Sequence, residues 1–170
     1  MYVQDIKLSA ILYNCFVSDF LLPSVVEAKT CIMDLSNINL LALLTATIAS
    51  FGLGALWYSP VLFGKLWQKE TGLSEEELKD ANMAKIFGTC FFLTAVMAFG
   101  MAVLIQGHGQ QNLDWLDGLQ HGLFVGLLFV ATSMGINYLY QRKSIKLWLI
   151  DAGYQLAFLA LQGLIFAVWT

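Results

Sequence analysis

Four long apolar stretches constrain the fold of this chain more than any other feature. They cover residues 38–58, 86–105, 122–140 and 147–169. A helix of about 20 apolar residues is long enough to cross the hydrocarbon core of a bilayer, which is ~30 Å thick. The pattern therefore predicts an all-α, polytopic membrane protein: an antiparallel bundle of four transmembrane helices.

The basic residues between these stretches all lie at one end of the predicted bundle. Seven lysines and arginines follow the first and third stretches: Lys65, Lys69, Lys79, Lys85, Arg142, Lys143 and Lys146. The loop at 106–120, after the second stretch, has none. Because cytoplasmic loops carry an excess of Lys and Arg, we predict that loops 60–85 and 141–146 are cytoplasmic. Loop 106–120 is then outside.

Composition argues against several classes of protein. Of the 170 residues, 58% are hydrophobic and 12% are charged, whereas soluble domains have about 25% charged residues. The net charge is −3, and without a basic stripe we expect no nucleic acid partner. Asp117 and His121 are four residues apart, but the loop around them lacks regular ligand spacing, so we expect no metal and no cofactor.

Residues 1–32 differ from the rest because their apolar segment is interrupted by Asn14, Asp19 and Pro23. Three interpretations stay open: an N-terminal extension before a start at Met33, a weak fifth span, or an uncleaved signal-like segment. We favour the extension. The predicted domains are then 1–32, outside the core fold, and 33–170, the four-helix transmembrane domain.

Small residues recur at every fourth position in two regions. The first stretch has Ala46, Ser50 and Gly54. The third stretch has Gly122 and Gly126, and Gly118 precedes it by one helical turn. Such faces let helices approach closely in lipid. They indicate packing either inside one bundle, which we favour, or between the subunits of a homo-oligomer.

Asp151 is the only acidic residue inside a predicted span, and an ionisable group at membrane depth is a functional candidate. Gln155 shares its helix face, Tyr154 is adjacent, and Asn137 reaches the same depth on the neighbouring helix. This cluster is interpreted as an ion or head-group site, or as a structural cluster in which Asp151 pairs with a nearby cation: Arg142, Lys143 or Lys146. The deeper Gln162 is expected to make an interhelical hydrogen bond.

The connecting segments also carry local signals. Pro60 ends the first helix, and the apolar segment 61–67 is predicted to lie in the membrane interface. Ser74 and Glu77 form a capping box, followed by one predicted helix from about 75 to 105. Asp114 and Asp117 are expected to cap the start of the third helix.

Two parts of the sequence resemble the family called domain of unknown function 1761. The first is Gly54-Ala-Leu-Trp-Tyr-Ser-Pro-Val-Leu-Phe-Gly-Lys-Leu-Trp67, with Thr-Gly-Leu-Ser-Glu-Glu at 71–76. The second is Asn137-Tyr138, followed by Leu-Ile-Asp-Ala-Gly-Tyr-Gln at 149–155. The resemblance implies a small integral protein of the bacterial inner membrane with four spans and no assigned activity. It singles out Trp57, Tyr58, Pro60, Lys65, Asp151 and Tyr154.

Three functions remain open. The first is a non-enzymatic membrane protein that binds a lipid, a small ligand or a partner protein at the polar cluster. The second is a small oligomeric transporter or ion-coupled permease in which Asp151 titrates. The third and least favoured is a membrane enzyme. The candidate site residues are Trp57, Tyr58, Lys65, Asn137, Asp151, Tyr154 and Gln155.

Overall fold

The computed structural model describes residues 38–106 and 113–169, and these ranges contain helices but no strand. The helices are α1 (Leu40–Trp57), α2 (Gly64–Thr71), α3 (Glu75–Asp80), α4 (Met83–Gln106), α5 (Trp115–Tyr140) and α6 (Ile145–Trp169). The predicted extension at 1–32 lies outside the described residues.

Four of these helices, α1, α4, α5 and α6, are long and apolar enough to cross a membrane. The mean hydropathy of their most apolar segments lies between 1.5 and 2.1. The predicted fold class is confirmed: the protein is all-α, and its four apolar helices are consistent with a four-helix membrane bundle. They indicate a multi-pass membrane protein.

Helix α6 is the central element of the bundle. In its most apolar segment 44% of the residues are buried, against 17–22% in the other three long helices. Two of its neighbours, α1 and α5, run antiparallel to it. Gly54 of α1 lies against Tyr154 and Trp57 against Ile150, whereas Gly118 of α5 lies against Gly163 and Gly122 against Leu159. The side chains that α1, α4 and α5 turn away from the bundle are largely exposed apolar groups, as lipid contact requires.

Glycines bring the backbones of α5 and α6 into direct contact. A Cβ atom on Gly122 would lie 2.2 Å from the carbonyl oxygen of Leu159, and one on Gly163 would lie 2.1 Å from that of Gly118. Both distances are far below van der Waals contact, so only glycine fits. Close approach of this kind favours association of helices in lipid, where burial of apolar surface contributes little.

The small-residue face of α1 lies inside the same bundle. Ala42, Ala46 and Ser50 are buried, and Gly54 leaves room for the ring of Tyr154. On another face of α1, the ring of Phe51 makes edge contacts with the aromatic rings of α4. The small residues of both α1 and α5 therefore pack within one chain.

A tight turn joins α1 to α2. The amide of Phe63 donates to the carbonyl of Trp57 at 3.0 Å, and the amide of Gly64 donates to that of Ser59 at 2.9 Å. A Cβ on Gly64 would collide with the backbone carbonyl of Tyr58. Only glycine fits here, so the turn holds α2 close to the end of α1.

The polar connection from α3 to α4 corrects one prediction. The capping box of Ser74 and Glu77 is confirmed, and the hydrogen bonds from the Ser74 amide and hydroxyl hold the pKa of Glu77 below its ordinary value. The single helix predicted from 75 to 105 is wrong, because Ala81 is extended with ψ 138°. Asn82 then caps α4 by accepting from the amide of Lys85 at 3.0 Å.

The start of α5 matches the expected capping. Asp114 is its N-cap, and Asp117 completes a capping box with it. The helix therefore begins at Trp115, before the apolar stretch that starts at Gly122.

The glycine contact generates a testable difference between two alanine variants. Gly122→Ala pushes α5 away from Leu159, so we expect a loss of about 1–3 kcal/mol in the free energy of unfolding, as for other overpacked sites. Gly100→Ala is the matched control, because nothing lies within 4 Å of its Cβ position. Thermal unfolding in detergent micelles, followed by circular dichroism, measures both. Equal unfolding temperatures for the two variants would contradict the packing.

Candidate functional site

The carboxylate of Asp151 is held between two tyrosines. Its Oδ1 accepts the hydroxyl of Tyr58 at 2.8 Å, and its Oδ2 accepts the hydroxyl of Tyr138 at 2.6 Å. Only 7% of the Asp151 surface is exposed. An ionised carboxylate only accepts hydrogen bonds, so two hydroxyl donors match it. We call these three residues the tyrosine clamp.

The clamp joins three helices at one end of the bundle. Tyr58 is the C-cap of α1, Tyr138 lies in the last turn of α5, and Asp151 lies in the second turn of α6. Because the three residues belong to three different helices, their hydrogen bonds fix the relative positions of the helix ends.

The predicted pairing of Asp151 with a loop cation is wrong. Among the described residues, its side-chain hydrogen bonds go to the two tyrosines, which reach it from neighbouring helices. Lys143 instead lies over the ring of Tyr138, with Nζ 4.8 Å from the ring centroid. That contact is a cation–π interaction, and it places positive charge beside the clamp without a direct ion pair.

Aromatic side chains surround the clamp. The indole nitrogen of Trp57 donates to the carbonyl of Ile150 at 3.1 Å. The ring of Tyr58 makes edge contacts with Tyr154 and Trp67, at centroid distances of 5.3 and 5.8 Å. The segment from Trp57 to Trp67 therefore covers the start of α6, and the site is enclosed by rings rather than open to solvent.

A π-helical turn in α5 selects which residue reaches Asp151. The turn covers Gly126–Ala131 and contains one residue more than an α-helix would use. Three α-helical turns from Gly126 would lead to Asn137, since each turn takes 3.6 residues. Because of the extra residue, the position that faces α6 three turns after Gly126 is occupied by Tyr138, which donates to Asp151. Asn137 is exposed.

Side chains stabilise the π turn from both sides. The indole nitrogen of Trp148 donates to the carbonyl of Ala131 at 2.9 Å, and the hydroxyl of Thr132 donates to that of Leu128 at 2.6 Å. Gly135 leaves room for the Trp148 ring, which lies 3.2 Å from its Cβ position. Side-chain donors thus bond to carbonyls within the wide turn.

The structure places the other predicted site residues in different surroundings. Gln155 lies one turn beyond Asp151, and its Oε1 is buried without a hydrogen-bond partner in the described chain. Lys65 is exposed on α2, whereas the carboxylate of Asp151 accepts hydrogen bonds from Tyr58 and Tyr138. The interhelical hydrogen bond expected for Gln162 is wrong, because both polar atoms of its amide are buried without a hydrogen-bond partner among the residues that the structure describes.

A cleft beside the clamp was not predicted. It has a volume of about 370 Å³ and is lined by Trp67, Glu70, Thr71, Leu73, Lys143 and Leu147. The hydroxyl of Ser144 donates to the carboxylate of Glu70, which fixes α2 against the start of α6. The cleft combines one acidic, one basic and several apolar side chains. No short motif marks it, because its lining comes from both loops.

The fold and the site define a multi-pass membrane protein with an enclosed carboxylate at one end of its helices. The family model described as "Protein of unknown function (DUF1761)" matches residues 41–167, and the chain belongs to this family. The predicted resemblance is thereby confirmed. No curated protein and no solved structure matches the chain.

The clamp predicts a stability difference between neighbouring tyrosines. Tyr138→Phe removes a hydrogen bond to a buried carboxylate, and such bonds to charged groups contribute about 1.5–3 kcal/mol. Tyr140→Phe is the matched control, since Tyr140 is 86% exposed and its loss should have little effect. Free energies of unfolding measured in one detergent test this. If the two variants lose equal stability, Tyr138 does not stabilise Asp151.

The π turn predicts that one deletion changes which residue faces α6. Deleting Leu127, an exposed residue of the turn, should restore an α-helix and rotate Tyr138 away from Asp151. In that background, Tyr138→Phe should cost less than about 0.5 kcal/mol, because a tyrosine that no longer contacts Asp151 has no such hydrogen bond to lose, and substitutions away from specific contacts usually change stability by no more than this. Unfolding measurements on the four proteins of this cycle give the answer. An unchanged cost of Tyr138→Phe would show that the π turn does not position the tyrosine.

Proposed function

We propose that this protein is a non-enzymatic membrane protein that binds a phospholipid head group in the cleft beside the tyrosine clamp. The carrying observation is that Lys143 and Glu70 line the same small cleft together with Trp67 and Leu147. A zwitterionic head group has a phosphate that matches the ammonium of Lys143. Its amine matches the carboxylate of Glu70.

The segment before the cleft supports this proposal. Val61 is 84% exposed, and Leu62 and Leu66 are also exposed, although they follow the end of α1. Lys65 and Lys69 are exposed on α2 beside them. Exposed apolar and basic side chains on one short segment, formed by α2 and the turn before it, favour a position in the plane of the membrane interface. The adjacent cleft would then lie at head-group depth.

The hydrogen bonds around the cleft also support ligand binding. The aromatic rings and the clamp hold α1, α5 and α6 together beneath the cleft, and Ser144 holds Glu70. A preorganised site loses less side-chain freedom when a ligand binds. The clamp is thus the support of the proposed lipid site, rather than its contact surface.

We propose that the cleft faces the cytoplasm and that the membrane is the inner membrane of a bacterium. The support for the orientation is the distribution of charge: loops 60–85 and 141–146 carry seven basic residues, and 106–120 carries none. The bacterial inner membrane is what the family resemblance implies. The antiparallel contacts of α6 with α1 and α5 place both basic loops at the same end.

An ion-coupled transporter is the second candidate, and Asp151 favours it. The residue is an acid within a membrane-spanning helix, where ionisable groups commonly mark ion paths. Such an activity would require a homo-oligomer to enclose a pathway, and flux that Asp151→Asn abolishes. We rank it second because both carboxylate oxygens of Asp151 accept hydrogen bonds from tyrosines.

The lipid proposal predicts a selective loss of bound phospholipid. The full chain is released for native mass spectrometry from bilayers with equal amounts of phosphatidylethanolamine, phosphatidylglycerol and phosphatidylcholine. We expect a retained phosphatidylethanolamine adduct, whose amine is unblocked for Glu70. Lys143→Met should reduce its affinity about tenfold, which corresponds to ~1.4 kcal/mol. Glu70→Gln should weaken it similarly.

Lys79→Met is the matched control for this experiment. It removes an exposed lysine of α3 that does not line the cleft, so the adduct should persist. Equal adduct loss in the Lys79 and Lys143 variants would mean that general surface charge, rather than the cleft, retains the lipid.

The proposed orientation predicts where a reporter becomes active. Alkaline phosphatase fused after Gln110 should be active in a bacterial host, because it folds only outside the cytoplasm, and a fusion after Lys79 should be inactive. The seven-to-none charge distribution is the physical reason, since basic loops resist translocation. The reverse pattern of activity would invert the topology.

A further inference from the structure

Within residues 38–106 and 113–169, three polar side chains of the bundle have buried atoms without hydrogen-bond partners. These atoms are the hydroxyl oxygen of Ser50, the Oε1 of Gln155, and both amide atoms of Gln162. Ser50 and Gln162 are completely buried, with 0% of their surface exposed. Nearly all buried polar groups in native proteins have a partner, and internal water provides it where protein groups do not.

The three glutamine and aspartate positions of α6 lie on one face. Gln155 and Gln162 follow Asp151 by four and eleven residues, and both spacings are close to whole helical turns. At 1.5 Å per residue, Gln162 lies ~16 Å along the helix from Asp151. This face therefore carries polar groups from the tyrosine clamp to the middle of the membrane.

Ser50 extends this face from the neighbouring helix. Trp57 contacts Ile150, and Gly54 contacts Tyr154, so antiparallel pairing places Ser50 deeper in the bundle. Its level falls between those of Gln155 and Gln162. The nearby hydroxyl of Thr47 already donates to the carbonyl of Leu43 at 2.8 Å.

We propose that water molecules bind inside the bundle along Gln155, Ser50 and Gln162. They form a hydrogen-bonded column from the Asp151 clamp to mid-membrane. An amide has two donors and an acceptor, and a hydroxyl donates and accepts, so these groups suit water. Apart from Asp151 the column is uncharged, which makes it a poor site for an ion.

The column ends in the bundle interior. Beyond Gln162, the buried positions of α6 are apolar, with Phe166 at 4% exposed. The water would thus extend from the clamp to the centre of the membrane without crossing to the other side. This inference is independent of the lipid proposal, because it concerns the helix interior and not the cleft.

Radiolytic footprinting of the full chain in detergent micelles tests the proposal. A short X-ray pulse converts bound water to hydroxyl radicals, which hydroxylate the side chains beside them. Phe158 is the reporter, because it lies between Gln155 and Gln162 on α6 and is only 2% exposed. We expect Phe158 to be hydroxylated in the wild-type protein despite its burial.

Two variants connect this label to the column. Gln162→Leu and Ser50→Ala should each reduce labelling of Phe158 at least threefold, while labelling of the exposed Phe92 stays unchanged. The proposal would be overturned if Phe158 of the wild-type protein were labelled no more than the background level. It would also be overturned if Phe158 were labelled equally in the wild-type protein and in the two variants. The wild-type measurement needs no substitution, so the proposal stays testable even if a variant does not fold.

Discussion

The hydrogen bonds that Asp151 accepts from Tyr58 and Tyr138 are the interaction on which the rest of the site depends. A carboxylate buried in a membrane bundle is costly unless it is paired. Two hydroxyl donors from different helices satisfy it, and in doing so they fix the ends of α1, α5 and α6. The aromatic rings around the clamp and the cleft beside it are positioned by this arrangement.

The clamp in turn requires the close packing of α5 on α6. Gly118, Gly122 and Gly163 allow backbone contact over one half of the interface. The π turn then adjusts the remaining half, so that Tyr138 faces Asp151. Trp148 stabilises that turn from α6 itself. The pair α5 and α6 thus has two parts. In one part, glycines allow the backbones to pack closely, and in the other, the π turn directs Tyr138 toward Asp151.

Much of this fold could be predicted from the sequence, because its strongest signals are long and regular. The spans, the capping boxes at Ser74 and Asp114, and the small-residue faces rest on composition or on short local spacing. The break at Ala81 and Asn82 was missed, since neither residue is a strong helix breaker. Ala81 and Asn82 lie in a polar segment whose sequence is equally compatible with one continuous helix.

The candidate site was only partly predictable. Asp151 was identified because an acid in an apolar span is rare. Asn137 was placed in the cluster instead of Tyr138, because the π turn has no sequence signature and regular helical spacing leads to Asn137. Likewise, no pattern in the sequence reveals that Gln162 lacks a protein partner. That depends on which neighbouring helix faces are apolar, and hence on the three-dimensional packing.

These features describe a membrane protein whose polar groups are concentrated at one end and along one internal helix face. The cleft with Glu70 and Lys143 faces the proposed interface, whereas Asp151, Gln155 and Gln162 extend inward. The clamp lies between the two. It separates a surface suited to a lipid head group from an interior suited to water, so a change in the clamp would affect both.

A double-mutant cycle between Tyr58 and Asp151 tests the central claim most directly. The free energy of unfolding is measured for the wild-type protein, Tyr58→Phe, Asp151→Leu and the double variant in the same detergent. If the clamp holds the helix ends together, the two substitutions are coupled by about 1–3 kcal/mol. Additivity within about 0.5 kcal/mol would show that the two side chains act independently, and would contradict the account.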